Sequence, residues 1–208
     1  MQKWVFLFRH GETDFNREHR FQGHLDIPLN AEGKRQAALL ESPLTRLGCE
    51  EILSSDLIRA VETAQIATQP LGLKIYTHKG LREAYLGEAQ GLTTAEIATQ
   101  FGESLVAKWR SPFATDADVS YPGGETGKEV LARVLSAMQE HLSVTSANRI
   151  GVATHGGVIR RVVRSLLHHK KNHHEIEIPI PNGIIYALCW DPKTGSLSFP
   201  GYTPVFER

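Results

Sequence analysis

The sequence predicts a three-layer α/β/α sandwich with a mostly parallel central sheet. Short apolar runs alternate with helical patterns along the 208 residues, and polar residues follow the apolar runs. This alternation is typical of parallel strands that are covered by helices on both faces. With 41% hydrophobic residues and no repeat, linker or low-complexity tract, the chain is expected to form a single domain over residues 1–208.

The first strand and the first helix are predicted from an apolar run and a capped helical pattern. The run Trp4–Phe8 reads as a buried strand that ends at polar residues. A helix is predicted over Ala31–Glu41. Asn30 is its expected N-cap and Pro43 its expected stop, because an asparagine oxygen can accept from the free N–H groups of a first turn and proline cannot continue a helix.

The same unit is predicted a second time further along the chain. Glu51–Ser54 is a short strand, and Asp56 is the expected N-cap of a helix that runs to about Ala67. Lys74–Thr77 follows as a third strand. Each predicted strand therefore leads into a polar loop, which is where an α/β sheet places its ligands.

The second half of the chain continues the alternation of helices and strands. Helices and strands are predicted in the order Thr94–Phe101 (helix), Leu105–Trp109 (helix), Glu125–Leu142 (helix), Arg149–Thr154 (strand), a helix from the glycines after His155 to about His168, and Ile184–Trp190 (strand). Pro, Gly and Asp gather between Ser111 and Gly124. We expect residues 84–124 to contain an excursion that acts as a lid or selects the substrate.

The balance of positive and negative residues indicates which kinds of binding partner to expect. The 23 Lys and Arg residues equal the 23 Asp and Glu residues, so the chain has no uniform basic field for a nucleic acid or an anionic membrane. Any anion must be bound by a local cluster. We therefore expect a small-molecule partner, no nucleic acid and no membrane; the oligomeric state stays open.

The two cysteines and the first apolar run indicate in which cellular compartment the protein is expected. Cys49 and Cys189 are far apart in sequence and form no disulfide framework, which fits a reducing environment. The apolar run that ends at Phe8 is too short for a signal peptide or a membrane span. A cytoplasmic location is the expectation.

Cationic and imidazole side chains follow three of the predicted strands. Arg9 and His10 follow the first strand, Arg59 lies one turn beyond the second, and His155 follows the strand that ends at Thr154. A guanidinium matches phosphate oxygens, and a neutral imidazole can attack phosphorus. The clustered positive charge also lowers the pKa of nearby histidines and so keeps a nucleophilic imidazole unprotonated. Each short motif alone occurs by chance, but their joint order predicts a phosphoryl site.

Motifs spread over most of the chain carry a family resemblance. They are Leu7-Phe-Arg-His-Gly-Glu-Thr13, Phe21-Gln-Gly23, Ser54-Ser-Asp-Leu57, Leu81-Arg-Glu83, Pro122-Gly-Gly-Glu125 and Thr154-His-Gly-Gly157. In this order, and over roughly Trp4 to Trp190, the sequence resembles the histidine phosphatase superfamily, which is also called phosphoglycerate-mutase-like.

The resemblance implies catalysis through a phosphohistidine. His10 would attack phosphorus while Arg9, Arg59 and His155 hold the equatorial oxygens. Glu83 matches the proton donor of the family. Ester cleavage expels an alkoxide that needs a proton, which a carboxyl group can supply. A water molecule would then take the phosphoryl group from His10, with Glu83 as the base.

Four further residues are candidates for substrate binding. Asn16, Gln22 and Gly23 match positions that line the phosphate pocket of the family, and Gly156 directly follows His155. The same residue types also form ordinary loops, so a purely structural role stays open for them.

The sequence predicts neither a metal nor a cofactor, because arginines and histidines supply the positive charge that Mg²⁺ or Zn²⁺ would bring. Neither cysteine has an arginine six residues later, as a cysteine phosphatase loop requires. Asp116-Ala-Asp118 is typical of an aspartyl nucleophile only if it follows a buried strand, and here it lies in a predicted loop. The run His168–His174 could suggest a transition-metal site, but its interleaved lysines would repel a metal ion, and its cations are better explained by the predicted C-terminus of a helix, which favours positive charge.

Three functions stay open at the level of the sequence. Between Ala84 and Tyr121 the only basic residues are Lys108 and Arg110, and Leu86 stands where the mutase pattern has a tyrosine. These features favour hydrolysis of a small phosphorylated metabolite over a cofactor-dependent phosphoglycerate mutase. A catalytically silent phosphate-binding module is the third alternative. The substrate is not predicted.

Overall fold

The central sheet of this chain has six strands. The computed structural model describes residues 2–110, 118–167 and 178–200. The strands are β1 Lys3–Arg9, β2 Glu51–Ser54, β3 Lys74–Thr77, β4 Arg149–Thr154, β5 Ile185–Asp191 and β6 Ser196–Ser198. Their order is β3-β2-β4-β1-β5-β6; the first four are parallel, and β5 and β6 are antiparallel additions. The predicted mostly parallel sheet is confirmed.

Helices pack on both faces of this sheet. They are α1 Asp14–Arg17, α2 Ala31–Ala38, α3 Glu41–Arg46, α4 Ile58–Thr68, α5 Thr94–Phe101, α6 Glu103–Arg110, α7 Gly127–Val144 and α8 Gly156–Leu167, with 3₁₀ turns at Gln69–Leu71, Lys79–Leu81 and Gly87–Ala89. In the described parts of the chain, no helix is both long and apolar enough to cross a membrane. The run His168–His174 and Asp116 lie outside the described residues.

The alternation of side chains along β1 produces the three layers. Val5 and Leu7 belong to the core that includes buried residues of α7 and α8. Phe6 and Phe8 belong to a second core, which includes buried residues of α3 and α4. Successive side chains of a strand point to opposite faces, so a continuous apolar strand needs a helical layer on each side. The predicted sandwich is therefore confirmed.

The predicted stop at Pro43 is wrong. Helix α2 ends at Ala38, and Pro43 lies in the first turn of the next helix, α3 Glu41–Arg46. The missing N–H of proline costs nothing there, because the first four N–H groups of a helix have no partner within it. Pro43 therefore belongs to the start of a second short helix and does not end the first one.

The predicted N-cap at Asp56 is also wrong. Helix α4 begins at Ile58, and the N–H group of Ile58 donates to Asp26 Oδ1 at 2.7 Å. Asp56 instead accepts two hydrogen bonds of 2.6 Å from the Arg82 guanidinium. A bidentate guanidinium is a stronger partner for the Asp56 carboxylate than one backbone N–H group. The N–H group at the start of α4 is therefore left to Asp26, which lies in a loop distant in sequence.

Two glycines bring the loop after β1 into direct contact with α2. A Cβ atom on Gly33 would lie 2.0 Å from the carbonyl oxygen of Glu12, and one on Gly11 would lie 2.3 Å from the carbonyl oxygen of Gly33. Backbone atoms cannot move aside as a flexible side chain can. Only residues without a side chain therefore fit this contact.

We expect Gly33→Ala to lower the free energy of unfolding by about 3 kcal/mol, because overpacking against fixed backbone is destabilising. Gly72→Ala is the matched control. Gly72 has a positive φ of 63° but nothing within 4 Å of an added Cβ. Gly72→Ala should therefore lower the free energy of unfolding by only about 1 kcal/mol. Urea unfolding of both variants measures the difference, and a smaller loss for Gly33→Ala would contradict the close approach.

Candidate active site

Three parallel strands end at the same edge of the sheet and bring two histidines together. Arg9 is paired with Thr154 at the ends of β1 and β4, and the N–H group of His10 donates to the Thr154 carbonyl at 3.0 Å. His10 and His155 are both buried, with ring centroids 5.1 Å apart and ring planes inclined by 60°. The parallel register thus places residues 145 positions apart in one site.

His10 has its ring oriented by the next peptide group. Its Nδ1 lies 2.6 Å from the Gly11 carbonyl, which can only accept, so Nδ1 carries the proton and Nε2 keeps a lone pair. Burial, followed by the charges of Arg59 and Arg9, lowers the pKa of His10 well below 6.5. The ring is therefore a neutral imidazole at neutral pH, which is the form that can act as a nucleophile.

His155 is held by a serine from the neighbouring strand end. Its Nε2 lies 2.9 Å from Ser55 Oγ, and Ser55 Oγ in turn accepts from the N–H group of Leu57. If the serine hydroxyl donates to Nε2, the ring carries its proton on Nδ1. Burial is the largest cause that lowers the pKa of His155 well below 6.5, followed by the charge of Arg59. His155 is therefore also neutral and can donate one hydrogen bond.

Arg59 is buried and Arg9 is partly buried, and backbone carbonyl groups solvate both guanidiniums. Arg9 Nη1 donates to the Ile180 carbonyl at 2.5 Å. Arg59 donates from Nη1 to the Leu25 carbonyl and from Nη2 to the Gly23 carbonyl, each at 2.8 Å. Burial lowers the pKa of Arg59 to about 10, so the guanidinium stays charged at neutral pH. These carbonyls fix the position of each charge without neutralising it.

Three buried donors of this cluster have no hydrogen-bond partner among the described residues: Arg9 Nε, Arg59 Nε and His155 Nδ1. An unpaired buried polar group costs about 1–3 kcal/mol, and more when it is charged. Their charge and donor character fit a tetrahedral oxyanion. The site is therefore built to bind an anion next to the free Nε2 of His10.

Glu83 lies at the N-terminus of α8. Its Oε2 accepts from the N–H group of Gly157, and its Oε1 accepts from the N–H group of Ala84, each at 2.9 Å. Two side chains also hold the Glu83 carbonyl, with Arg133 Nη2 at 2.7 Å and His24 Nε2 at 2.8 Å. The carboxylate is thus placed beside the residues that follow His155.

Arg133 on α7 holds the segment that carries Glu83. It donates to the carbonyls of Gly80 and Arg82 as well as to that of Glu83, and it forms a bidentate pair with Glu125 at 2.7 and 2.8 Å. The sequence reasoning assigned no role to Arg133. The glutamate of the Pro122-Gly-Gly-Glu125 motif, eight residues earlier, was the available signal.

The four candidate substrate-binding residues lie in the segment that follows His10 and at the start of α8. Asn16 Oδ1 accepts from the N–H group of Thr13 at 3.2 Å, in the capping box of α1, and Gln22 Oε1 accepts from the Thr13 hydroxyl at 3.0 Å. Gly23 has a positive φ of 54° and offers its carbonyl to Arg59. A Cβ atom on Gly156 would lie 3.3 Å from Arg9 Nε. Gly23 and Gly156 thus lie beside the guanidiniums, whereas Asn16 and Gln22 hold the loop after His10 through Thr13.

Thr63 is a further structural residue of the site that the sequence reasoning did not single out. Its Oγ1 accepts from the N–H group of Gly11 at 3.0 Å and donates to the Arg59 carbonyl at 2.7 Å. The hydroxyl thereby joins the loop after His10 to the helix that carries Arg59. Its spacing of one helical turn from Arg59 was the sequence signal.

The described residues contain no group of three or more His, Cys, Asp and Glu side chains that could hold a metal ion. Asp118 is an exposed partner of Lys128, at 3.7 Å. Burial raises the pKa of the Cys49 thiol to about 12. A thiol in that environment is a poor nucleophile.

Comparison with known proteins agrees with this site. The family model of the histidine phosphatase superfamily (branch 1) matches residues 5–201. The chain belongs to the histidine phosphatase superfamily. Its sequence is 40% identical to phosphoglycerate mutase-like protein 4 of Arabidopsis thaliana over 158 residues, which are 75% of this chain and 67% of that protein.

Relatives in the superfamily carry the names of two activities. A 2,3-bisphosphoglycerate-dependent phosphoglycerate mutase of Nitratidesulfovibrio vulgaris is 32% identical, with 78% of this chain and 76% of that protein covered. A solved mycobacterial glucosyl-3-phosphoglycerate phosphatase, in complex with VO3, superimposes with a TM-score of 0.76 at 29% identity. That match covers 89% of this chain and 92% of the phosphatase. The resemblance seen in the sequence is confirmed, and both phosphatases and mutases are similar to this chain.

The two neutral histidines predict a stability that depends on pH. Their pKa values are lowered in the folded chain, so below about pH 6.5 the unfolded chain binds protons that the folded chain does not. Stability is then full above pH 6.5 and falls by about 1.4 kcal/mol per histidine for each pH unit below it, until the folded pKa is reached. Urea unfolding at pH 7.5 and 5.5 measures the fall.

In this experiment His10→Gln should remove part of the pH dependence, whereas His19→Gln, at an exposed position, is the control. An unchanged pH dependence in His10→Gln would contradict a buried, neutral His10.

Proposed function

We propose that this protein is a metal-independent phosphomonoesterase that hydrolyses a small phosphorylated metabolite through a phosphohistidine on His10. One observation carries the proposal. The buried, neutral His10 keeps Nε2 free beside three donors, Arg9 Nε, Arg59 Nε and His155 Nδ1, that no described residue satisfies. A phosphoryl group satisfies those donors with its oxygens and offers phosphorus to the imidazole.

The first step transfers the phosphoryl group to the enzyme. The lone pair of His10 Nε2 forms the N–P bond, while the P–O bond to the alcohol breaks and its electron pair stays on the leaving oxygen. Arg9, Arg59 and His155 stabilise the equatorial oxygens as charge develops. Glu83, in its protonated form, gives its proton to the leaving oxygen, so the product is a neutral alcohol.

The second step returns the enzyme to its starting state. Water attacks phosphorus and forms a new P–O bond, while the N–P bond breaks and its electron pair returns to His10 Nε2. The Glu83 carboxylate takes a proton from the water and is ready for the next cycle. The backbone contacts of Glu83 with Ala84 and Gly157 hold it in one place for both roles.

The proposal needs no metal because the protein supplies the positive charge itself. Two guanidiniums, held by the carbonyls of Gly23, Leu25 and Ile180, face the site without an ion pair within 4.0 Å among the described residues. Preorganised charges of this kind stabilise a transition state without reorganisation. We therefore propose that the chain uses neither a metal nor another cofactor.

A phosphoglycerate mutase is the second candidate, because two relatives at 40% and 32% identity bear mutase names. Hydrolysis is favoured by the sequence of the excursion. Leu86, which stands where the mutase pattern has a tyrosine, is buried in the apolar core. Since the names of the mutase relatives and of the mycobacterial phosphatase all contain phosphoglycerate, phosphoglycerate and its esters belong in the first panel of substrates.

Rapid quench of the enzyme with a ³²P-labelled phosphomonoester should trap a label on His10 that is labile to acid and stable to base. The label should form in excess EDTA and be absent from His10→Ala. A label that survives acid, or one that forms only with an added divalent metal, would overturn the proposal. Turnover of p-nitrophenyl phosphate separates an enzyme from a silent binding module, and release of inorganic phosphate from 3-phosphoglycerate separates hydrolysis from mutase action.

We expect Glu83→Gln to damage the hydrolysis of alkyl phosphates more than that of p-nitrophenyl phosphate. An alkoxide needs a proton to depart, whereas p-nitrophenolate spreads its charge over the ring. General acid catalysis is worth about 10²–10⁴ in rate, and most of this loss should appear with the alkyl ester. Single-turnover label formation must be measured, because Glu83 also acts in the second step. Equal losses for both esters would show that Glu83 only positions the phosphate.

A further inference from the structure

Arg161 lies on α8 beside the proposed proton donor. Its Nη1 donates to the Gly157 carbonyl at 3.2 Å, one turn earlier on the helix. A Cβ atom on Gly157 would lie 2.5 Å from Glu83 Oε1 and 3.1 Å from Arg161 Nη1. The guanidinium and the Glu83 carboxylate therefore flank the same glycine, on the side of the site where the alcohol leaves.

An aromatic platform holds the Arg161 guanidinium in place. Its Cζ lies 4.5 Å from the ring centroid of Trp109, at the end of α6. The Trp109 ring lies 5.3 Å from that of the buried Tyr121, which in turn contacts Phe21 edge-on at 6.1 Å. A guanidinium on a tryptophan face is favourable and leaves its edge free for hydrogen bonds. Two residues of the excursion, Trp109 and Tyr121, thus help to hold Arg161 in place.

No carboxylate of the described residues forms an ion pair with this guanidinium. The nearest acid in this part of the site is Glu83, which is itself bonded to two backbone N–H groups. Burial, as the largest cause, lowers the pKa of Arg161; the charge of Glu83 opposes this, and the charge of Arg160 adds to it. A partly desolvated guanidinium whose one described hydrogen bond is to the Gly157 carbonyl has donors left for an anion.

We propose that Arg161 is a specificity-determining residue that binds a second anionic group, a carboxylate or a phosphate, carried by the alcohol half of the substrate. The proposal rests on the proposed function, because Glu83 marks the leaving oxygen. Glu83 Oε1 and Arg161 Nη1 lie close to the same point beside Gly157, so an anionic substituent near the leaving oxygen can meet the guanidinium. An aromatic substituent is disfavoured, since Arg161 already covers the Trp109 face.

Three phosphomonoesters with the same two-carbon skeleton test the proposal: 2-phosphoglycolate, ethyl phosphate and phosphoethanolamine carry an anionic, a neutral and a cationic end. Their dissociation constants are measured by calorimetry at pH 7.5 on the His10→Gln chain, which forms no phosphohistidine. We expect 2-phosphoglycolate to bind about 10- to 100-fold more tightly than ethyl phosphate, the range for a charge-assisted hydrogen bond. Phosphoethanolamine should bind most weakly.

Arg161→Gln, added to His10→Gln, should reduce the preference for 2-phosphoglycolate to less than threefold, and Arg161→Lys should restore part of it. Arg164→Gln is the matched control, because it removes one positive charge from the same helix one turn further from the site. It should change the preference by less than twofold. A preference that survives in Arg161→Gln, or an equal loss in Arg164→Gln, would overturn the role of Arg161.

Turnover by the otherwise unaltered chain separates this inference from the proposed function. If 2-phosphoglycolate binds selectively through Arg161 but no ester is hydrolysed, the phosphatase assignment fails and the anion subsite stands. If all three esters are hydrolysed with no dependence on the charge of the alcohol, the phosphatase assignment stands and the subsite fails. Equal losses of affinity for 2-phosphoglycolate and ethyl phosphate in Arg161→Gln would show that Arg161 only supports Glu83.

Discussion

One buried guanidinium, Arg59, and one partly buried guanidinium, Arg9, lie beside two neutral imidazoles with no ion pair to a described carboxylate, and the rest of the structure depends on this constraint. A buried charge without a partner is unfavourable, so the fold must solvate it in another way. Backbone carbonyls do so: Ile180 accepts from Arg9, while Gly23 and Leu25 accept from Arg59. Burial of His10, together with the charges of Arg59 and Arg9, lowers the pKa of His10 and keeps the ring neutral.

This constraint explains why many residues near the site form hydrogen bonds that hold the loops and side chains in place. Thr63 ties the loop after His10 to α4, and Ser55 orients His155. Arg133 donates hydrogen bonds to the carbonyl groups of Gly80, Arg82 and Glu83. None of these groups needs to touch the substrate. They fix the donors in advance, and such preorganisation is what makes an anion site effective in catalysis.

The two halves of the site differ in how they are held. The half with Arg9, His10 and His155, where we propose that phosphate binds, is attached to the ends of parallel strands, so its geometry follows from the sheet register. The half that we propose for the alcohol depends on side-chain packing of Arg161 on α8 against Trp109, which packs against Tyr121. Under this proposal, members of one superfamily can share the first half and differ in the second.

The sequence alone determined the layers, five of the six strands and the places of Arg9, His10, Arg59 and His155 after strands, because apolar periodicity and the rule that parallel strands end at one edge are local or general properties. It did not predict β6. Only the tertiary structure decided which residues cap the helices and which side chains hold the site residues in place. Asp56 accepts hydrogen bonds from Arg82 and does not cap the helix that follows it. Long-range contacts also fix four other side chains, those of Ser55, Thr63, Arg133 and Arg161. Their partners are backbone carbonyls, N–H groups and ring faces that every sequence offers in many places, so only the folded geometry selects among them.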